Sequence, residues 1–231
     1  MHYAIIAAGE GSRLRSEGVD IPKPLIPLNG KALIERLTDI LFLHEPESLS
    51  IIVNEIYPEL INWAQQFICP VPFHIVAKTT LSSMHSLYAL RYRLNEKSFI
   101  LTTVDTVFKQ DEFKKYIDFI KENPSYDAVM AVTSFVEDEK PLWVKTTPDN
   151  TILSFDSQRN GHQFVSGGFY YFTPAVMKLL PDAIDSGMQK MRNFQSLLID
   201  KGLNVKAFEF EKIIDIDHLD DLKSASDFIQ K

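Results

Sequence analysis

The residues best suited to chemistry lie in a loop that follows a short apolar run near the start of the chain. Gly9 and Gly11 flank Glu10 in this loop, and Ser12 and Arg13 follow directly. Glycine lets the backbone turn tightly and approach a ligand, and consecutive N–H groups in such a loop bind anions. The arginine adds a planar set of donors that suits phosphate oxygens. The loop predicts a phosphate-binding site; the alternative is a plain strand-to-helix turn with a solvated arginine.

Two common phosphate-binding motifs do not account for this loop. A dinucleotide-binding loop requires a third glycine or alanine and then an acidic residue after the second strand, whereas Arg13 and Leu14 occupy that region here. A Walker loop ends in Gly-Lys-Ser or Gly-Lys-Thr, and the sequence contains neither. The loop is suited to phosphate but belongs to neither of these classes.

A lysine between two prolines follows the glycine loop. Pro22 fixes the backbone before Lys23, and Pro24 disfavours a helical conformation of Lys23 itself. The segment therefore presents a cation from a stiff backbone, close in sequence to Arg13. This pairing indicates that both cations reach the same phosphates; the alternative is a solvated loop lysine.

The elements that must position these residues alternate between apolar runs and amphipathic segments. Up to residue 134 the pattern predicts strands at 3–8, 50–53, 73–77, 98–103 and 128–134, with helices at 31–43, 57–67, 83–94 and 112–121. Such alternation is typical of a mainly parallel sheet with helical crossovers. Beyond residue 135 it predicts a hairpin of 143–147 and 151–155, strands at 164–172 and 205–210, and helices at 174–180, 194–201 and 219–229. We expect one α/β domain over residues 1–231, with a hairpin-containing sub-region that could bind a second substrate.

Residues 9–14 and 22–25, Gly-Glu-Gly-Ser-Arg-Leu and Pro-Lys-Pro-Leu, together resemble the signature of the sugar-phosphate nucleotidyltransferases, or nucleotide-sugar pyrophosphorylases. The related phosphocholine and phosphonate cytidylyltransferases share it. The resemblance implies a Rossmann-like α/β fold with a mixed sheet, and a reaction in which an NTP and a phosphorylated acceptor give an NDP-linked product and pyrophosphate. It also implies that Ala8, Gly9 and Gly11 line the nucleotide, while Arg13 and Lys23 bind its phosphates. Residues 1–134 would then bind the nucleotide, and about 135–231 the acceptor.

Aspartates stand at two places where this reaction would need a divalent cation. Asp105 ends the central apolar run, and Asp215 and Asp217 share one side of an extended segment before the last helix. Mg²⁺ usually takes one or two carboxylates together with substrate oxygens. The resemblance implies that Asp105 and Asp215 hold Mg²⁺, with Asp217 as a third ligand, and it leaves open which of the last two dominates. Asp105 could instead cap a turn, and Asp217 the helix.

Four further residues are assigned to substrate recognition. By resemblance, the segment of Ser82 and Ser83 contacts the base and ribose, although one of the two serines is also expected to cap the helix that follows. The Ser-Ser-Met form is more like the cytidylyltransferase branch, which keeps CTP open. Gly168, in a Gly-Gly pair within an aromatic strand, and Lys145 are assigned to the acceptor, with a solvated strand lysine as the alternative for Lys145.

Composition limits the classes of protein and of partner. A net charge of −7 argues against a general nucleic-acid or anionic-membrane binder, because both need a basic surface. The single cysteine, Cys69, suits a reducing compartment. The start of the chain has no signal-peptide pattern, and the sequence has no apolar stretch of about 20 residues that could span a membrane. We expect a cytoplasmic protein, with a homo-oligomer left open.

The function expected is Mg²⁺-dependent transfer of an NMP group from an NTP to a sugar 1-phosphate. The acceptor phosphate is already anionic, so it can attack directly and in line, without a covalent enzyme intermediate. One alternative is a cytidylyltransferase that uses CTP and phosphocholine or a phosphonate. Another, from a different class, is a catalytically silent nucleotide-sugar-binding regulator.

Overall fold

A nine-stranded mixed sheet forms the centre of the protein, in a computed structural model that describes residues 1–137 and 139–230. Two two-stranded sheets lie beside it. The strands are β1 His2–Ala7, β2 Pro27–Leu28, β3 Lys31–Ala32, β4 Ser48–Val53, β5 Phe73–Ala77, β6 Phe99–Thr103, β7 Thr106–Val107, β8 Ala128–Thr133, β9 Trp143–Thr146, β10 Ile152–Asp156, β11 Phe164–Phe172, β12 Val205–Phe210 and β13 Ile214–Asp215. The helices are α1 Ser12–Ser16, α2 Leu33–Phe42, α3 Pro58–Gln66, α4 Ser83–Leu94, α5 Gln110–Glu122, α6 Pro174–Asp185, α7 Met191–Asp200 and α8 Leu219–Ile229.

The strands β6, β1, β4 and β5 form a parallel part of the sheet, and the remaining strands form a mixed part. Its order is β10-β9-β11-β6-β1-β4-β5, with β8 paired to β11 and β12 paired to β8. Strands β6, β1, β4 and β5 run parallel, whereas β11 runs antiparallel to β6, β8 and β9. The predicted single α/β domain with a mixed central sheet is confirmed.

Strand β1 is buried on both faces because helices cover both sides of the sheet. Tyr3 and Ile5 belong to the hydrophobic cluster that includes residues of α2 and α5, while Ala4 and Ile6 belong to the cluster that includes residues of α4 and α6. Period-two alternation puts successive side chains on opposite faces, so a continuous apolar run fits a strand covered on both sides. This rigid strand ends at the glycine loop and holds it in place.

The carboxyl ends of β1 and β6 lie side by side. The two strands are parallel, and Ile6 is the register partner of Thr103. The glycine loop after β1 and Asp105 after β6 therefore meet at one edge of the sheet, where open α/β sheets bind their ligands.

Several short elements were not predicted from the sequence, among them α1, the strands β2, β3, β7 and β13, and a 3₁₀ turn. Helix α1 follows the glycine loop, and β13 pairs antiparallel with β7, so that Asp215 lies opposite Thr106. Lys23 opens a single 3₁₀ turn, closed by a bond from the Ile26 N–H to the Lys23 carbonyl at 3.2 Å. The expectation that Pro24 keeps Lys23 out of a helical conformation was therefore wrong, because the hydrogen bonds of the turn offset that preference. In the described part of the chain, no helix is long and apolar enough to cross a membrane.

Candidate active site

A cavity of about 570 Å³ opens at the carboxyl ends of β1 and β6. Its walls come from the glycine loop, the 3₁₀ turn, the start of α4 and the segments after β6 and β13. Among the predicted site residues it is lined by Ala8, Gly9, Gly11, Arg13, Lys23, Ser82, Ser83, Asp105 and Asp217. The structure therefore brings nine of the predicted residues into one cleft, although they come from five separate stretches of sequence.

The glycine loop approaches Lys23 closely enough to require a glycine. Gly11 has a φ of 63°, which a residue with a side chain rarely adopts, and a Cβ there would lie 3.2 Å from the Cβ of Lys23. Gly9 faces open space. The loop thus combines a left-handed turn with a close crossing of the lysine segment, which explains Gly11 in physical terms.

Two cations and two carboxylates meet at the centre of the cleft. The Lys23 ammonium donates to Asp105 and, at 2.9 Å, to Asp217, and the Arg13 guanidinium pairs with Asp217. Burial of Lys23 opposes its charge, but the charges of Asp105 and Asp217 outweigh it and raise the pKa of Lys23. Burial also opposes ionisation of Asp217, but Lys23 and then Arg13 outweigh it and hold the pKa of Asp217 low. Lys23 and Asp217 are therefore both charged at neutral pH.

Asp215 lies beside this cluster at the end of a chain of hydroxyls. The Thr103 hydroxyl contacts the Thr106 hydroxyl at 2.6 Å, and the Thr106 hydroxyl donates to Asp215 at 2.8 Å. The Asp215 side chain keeps open surface within the cleft, but protein walls surround it. The protein groups that displace solvent around Asp215, followed by the charge of Asp105, raise the pKa of its carboxyl. A Cβ at Gly168 would collide with both threonine hydroxyls, so this glycine leaves room for the hydroxyl chain.

The carboxylates offer the donor chemistry that Mg²⁺ prefers, but they do not form a closed cage. Within residues 1–137 and 139–230, no group of three or more His, Cys, Asp or Glu side chains is drawn together tightly enough to hold a metal ion. Mg²⁺ needs only one or two carboxylates, because substrate phosphates and water complete its octahedral shell. Asp105 and Asp217 both contact the Lys23 ammonium, so both already face one position suited to a cation. These two carboxylates therefore suit a metal ion whose other ligands are phosphate oxygens and water.

Asn54, directly after β4, does not line the cavity but supports the glycine loop, and it was not predicted from the sequence. Its side chain is fully buried and donates from Nδ2 to the Ala8 carbonyl at 3.1 Å. Its Oδ1 accepts from the Thr79 hydroxyl at 2.9 Å and from the Ile56 N–H at 3.2 Å. Asn54 thus joins the glycine loop to the segment before α4. Its signal in the sequence was a polar residue directly after a buried strand, the same position that Asp105 holds.

Replacing Asn54 by alanine is expected to raise the KM for the NTP by about tenfold, because a freed Ala8 carbonyl and loop cost roughly 1–3 kcal/mol. Steady-state kinetics would measure the KM for the NTP, and thermal unfolding would measure the loss of stability. Asn123→Ala is the matched control, since Asn123 makes one side-chain bond to a backbone carbonyl, that of Phe119, outside the cleft. Equal KM values in the Asn54 variant and the wild type would show that nucleotide binding does not depend on this support of the glycine loop.

A second cavity, of about 340 Å³, adjoins the first and was only partly predicted. It shares Ser82, Ser83, Asp105 and Asp217 with the first cavity and also contains Gly168 and Asp215. Its other polar lining comes from β11 and the start of α7, namely Ser166, Tyr170, Lys190, Arg192 and Gln195. The sequence reasoning missed Lys190 and Arg192 because nothing in the local pattern set this basic pair apart from solvated charges.

Lys145 does not lie in either of these cavities, so its predicted acceptor contact is not supported. It lines a separate cavity on the β9–β10 hairpin with Ser154, Asp156 and His162. On this strand Val144 is buried, whereas the neighbouring Lys145 is exposed. The alternative of a solvated strand lysine describes it better.

Fold and cleft together define a nucleotidyltransferase, with an anion-binding loop after β1 facing carboxylates after β6 and β13. The chain belongs to the MobA-like NTP transferase domain family, which matches residues 3–169. The resemblance drawn from the glycine loop and the proline-flanked lysine is thereby confirmed, as is the prediction of an enzyme of this class.

Individual relatives establish the fold over the whole chain. The inositol-1-phosphate CTP transferase from T. maritima has a TM-score of 0.79 at 21% identity, covering 97% of this chain and 95% of that one. HddC from Yersinia pseudotuberculosis has a TM-score of 0.75 at 20% identity, covering 99% of both chains. The bifunctional protein GlmU from Methanococcus maripaludis is 21% identical over 80% of this chain, which spans only 43% of that relative.

Proposed function

We propose that the protein transfers an NMP group from an NTP to a sugar 1-phosphate and releases pyrophosphate. The observation that carries the proposal is the meeting of Arg13 and Lys23 with Asp105 and Asp217 in a cleft that adjoins a second cavity with Lys190 and Arg192. One cavity has the groups for a triphosphate and its metal. The other has a separate pair of cations for the phosphate of an acceptor.

The reaction assigns each group a task. An acceptor phosphate oxygen forms a bond to the α-phosphorus while the bond from this phosphorus to the bridging oxygen breaks, and pyrophosphate leaves with that electron pair. Arg13 and Lys23 bind the phosphate oxygens that gain charge. Mg²⁺, held by Asp105 and Asp217 together with substrate phosphates and with Asp215 beside them, would supply further charge neutralisation. Because both reactants are anions, positioning and electrostatics provide the rate, and no side chain needs to remove a proton.

The two parts of the chain supply residues for different cavities. Residues from about 1–134 supply most of the nucleotide cavity, with Ser82 and Ser83 at the base and ribose. Residues from about 135–231 supply Gly168, Lys190 and Arg192 for the acceptor, together with Asp215 and Asp217. Both sets meet at Asp105, so the two substrates would react across the end of β6.

CTP with another phosphorylated acceptor is the second candidate. It is supported by hydroxyl groups in the nucleotide cavity, where the Thr80 and Ser86 side chains contact each other at 2.7 Å beside Ser82 and Ser83. Short hydroxyl side chains can hydrogen-bond the polar edge of a small base. The name of the T. maritima relative, an inositol-1-phosphate CTP transferase, agrees with this candidate.

The deciding experiment is a panel of the four NTPs against sugar 1-phosphates, inositol phosphate, phosphocholine and a phosphonate, read by pyrophosphate release with Mg²⁺ or EDTA. We expect turnover with one sugar 1-phosphate and loss of turnover in EDTA. Turnover only with CTP and a non-sugar acceptor would favour the second candidate. Nucleotide-sugar binding with no turnover anywhere in the panel would mean a silent regulator and contradict both.

Replacing Arg192 by alanine is expected to raise the KM for the acceptor by about tenfold and leave the KM for the NTP within about twofold, because only the acceptor phosphate loses a cation. Steady-state kinetics with each substrate varied in turn measures the split. Arg159→Ala is the control, since Arg159 is an exposed arginine over the Trp143 ring in the loop between β10 and β11. An equal rise in both KM values would contradict the assignment.

A further inference from the structure

Helix α1 carries Arg13 into the cleft, but it has only five residues. A helix this short is not stable by itself, so its position must come from contacts with the rest of the protein. One such contact is made by Glu17, the residue at the carboxyl end of α1. The Glu17 Oε1 atom lies 2.6 Å from Nδ1 of His218, and its Oε2 accepts the N–H of Leu219 at 2.8 Å.

Glu17 binds the segment of the chain that contains Asp217. The carboxylate of Asp221 accepts the N–H groups of Asp217 and His218 at 2.8 Å and 2.6 Å, which fixes the backbone of Asp217 against the start of α8. Glu17 binds the next N–H along this backbone, that of Leu219. The carboxylates of Glu17 and Asp221 therefore hold three successive N–H groups at the amino end of α8, where negative charge is stabilised.

The contacts of Glu17 differ from the other links between α1 and this segment. Arg13 and Lys23 also hold Asp217, but binding of a triphosphate and a metal would turn those cations towards phosphate oxygens. Glu17 does not line the nucleotide cavity, and its partners are a ring nitrogen and a backbone N–H. Its contacts can therefore persist while the cations of the cleft exchange partners.

We propose that Glu17 is a positioning residue, which keeps the helix of Arg13 in register with the segment of Asp217 during substrate binding. The proposal rests on the proposed function for the roles of Arg13 and Asp217. Charge-assisted hydrogen bonds to a carboxylate fix both distance and direction, which is what two separate stretches of chain need to share one ligand.

The first test compares Glu17→Ala, Glu17→Gln and Glu139→Ala. Loss of a hydrogen-bond partner of a metal ligand typically costs about 10–100-fold in metal affinity or activity. Glu17 acts one step further away, through the backbone beside Asp217, so Glu17→Ala should lower kcat/KM for the NTP by about tenfold, the lower end of that range, and raise the Mg²⁺ concentration for half-maximal rate. Glu17→Gln keeps an oxygen for the Leu219 N–H and should recover part of this loss. Glu139 lies 3.6 Å from the other ring nitrogen of His218, and its removal should leave both quantities unchanged.

The second test does not depend on activity. Hydrogen–deuterium exchange of the full chain should show faster exchange of the Leu219 amide and of residues 12–17 in Glu17→Ala, with β1 and β6 unchanged. If exchange rose throughout the protein, Glu17 would be a general stabiliser and the proposal would be wrong. The proposal would also be wrong if the alanine variant matched the wild type in kcat/KM and Mg²⁺ dependence. If the wild type released no pyrophosphate, the proposed function would fail, and the local exchange result would still decide whether Glu17 joins the two segments.

Discussion

Replacing Asp105 by asparagine is expected to lower the rate of pyrophosphate release by at least about 1000-fold, equivalent to ~4 kcal/mol of transition-state stabilisation. Asp105 stands at the end of β6, where the nucleotide cavity and the second cavity share a wall. An amide has nearly the same shape but no charge, so the variant would lose the attraction for a divalent cation at the reacting phosphate. The acceptor and the triphosphate would then repel each other with less compensation.

The Asp105→Asn variant should still fold, so its loss of pyrophosphate release can be attributed to the active site. The asparagine oxygen can still accept from Lys23, and Lys23 keeps its ion pair with Asp217. Asp39→Asn is a suitable control because Asp39 is an exposed aspartate on α2 that pairs with Lys31 of β3. Pyrophosphate release and circular dichroism of both variants provide the measurement. An Asp105→Asn enzyme with normal turnover would show that the metal assignment is wrong.

The fold was predictable where each element is specified by its own sequence. Strand β11 and helices α4 and α8 have the predicted bounds, and α4 begins at the hydroxyl cap supplied by Ser82, which accepts from the His85 N–H at 3.4 Å. Helix α6 was predicted to end at Leu180, directly before Pro181, yet it continues to Asp185. Burial of Ala183 in the core offsets the hydrogen bond that Pro181 cannot make.

The site was predictable where a local pattern restricts the chemistry, as in the glycine loop, the proline-flanked lysine and the aspartates at strand ends. The missed elements depend on contacts across the chain. Strands β7 and β13 have two residues each and exist because Val107 pairs with Ile214, a contact that no local periodicity encodes. In the sequence Asn54 and Arg192 look like ordinary polar residues. In the folded protein Asn54 contacts the glycine loop, and Arg192 lines the second cavity. The sequence therefore indicates most residues of the first cavity, while Lys190 and Arg192 of the second cavity require the three-dimensional arrangement.

Replacing Lys23 by methionine is also expected to reduce turnover by about 1000-fold. Unlike Asp105→Asn, this change should also lower the stability of the protein. The side chain of Lys23 is only 9% exposed, and its ammonium is shared by Asp105 and Asp217. Without it, two carboxylates face each other in a walled cleft. We expect the free energy of unfolding to fall by roughly 1–3 kcal/mol, less than for a fully buried pair because Asp217 is partly open to solvent.

This repulsion provides a measurement that does not need a substrate. If the carboxylates form a cation site, Mg²⁺ can replace the lost ammonium, and it should raise the Tm of Lys23→Met by more than that of the wild type. Lys31→Met is the matched control, because Lys31 is an exposed lysine with a single aspartate partner, and its Tm should respond to Mg²⁺ as the wild type does. Lys23→Arg keeps the charge and should restore stability more fully than turnover. A Lys23→Met variant with no additional response to Mg²⁺ would mean that Asp105 and Asp217 share a lysine without forming a metal site, and the loss of turnover would then reflect phosphate binding alone.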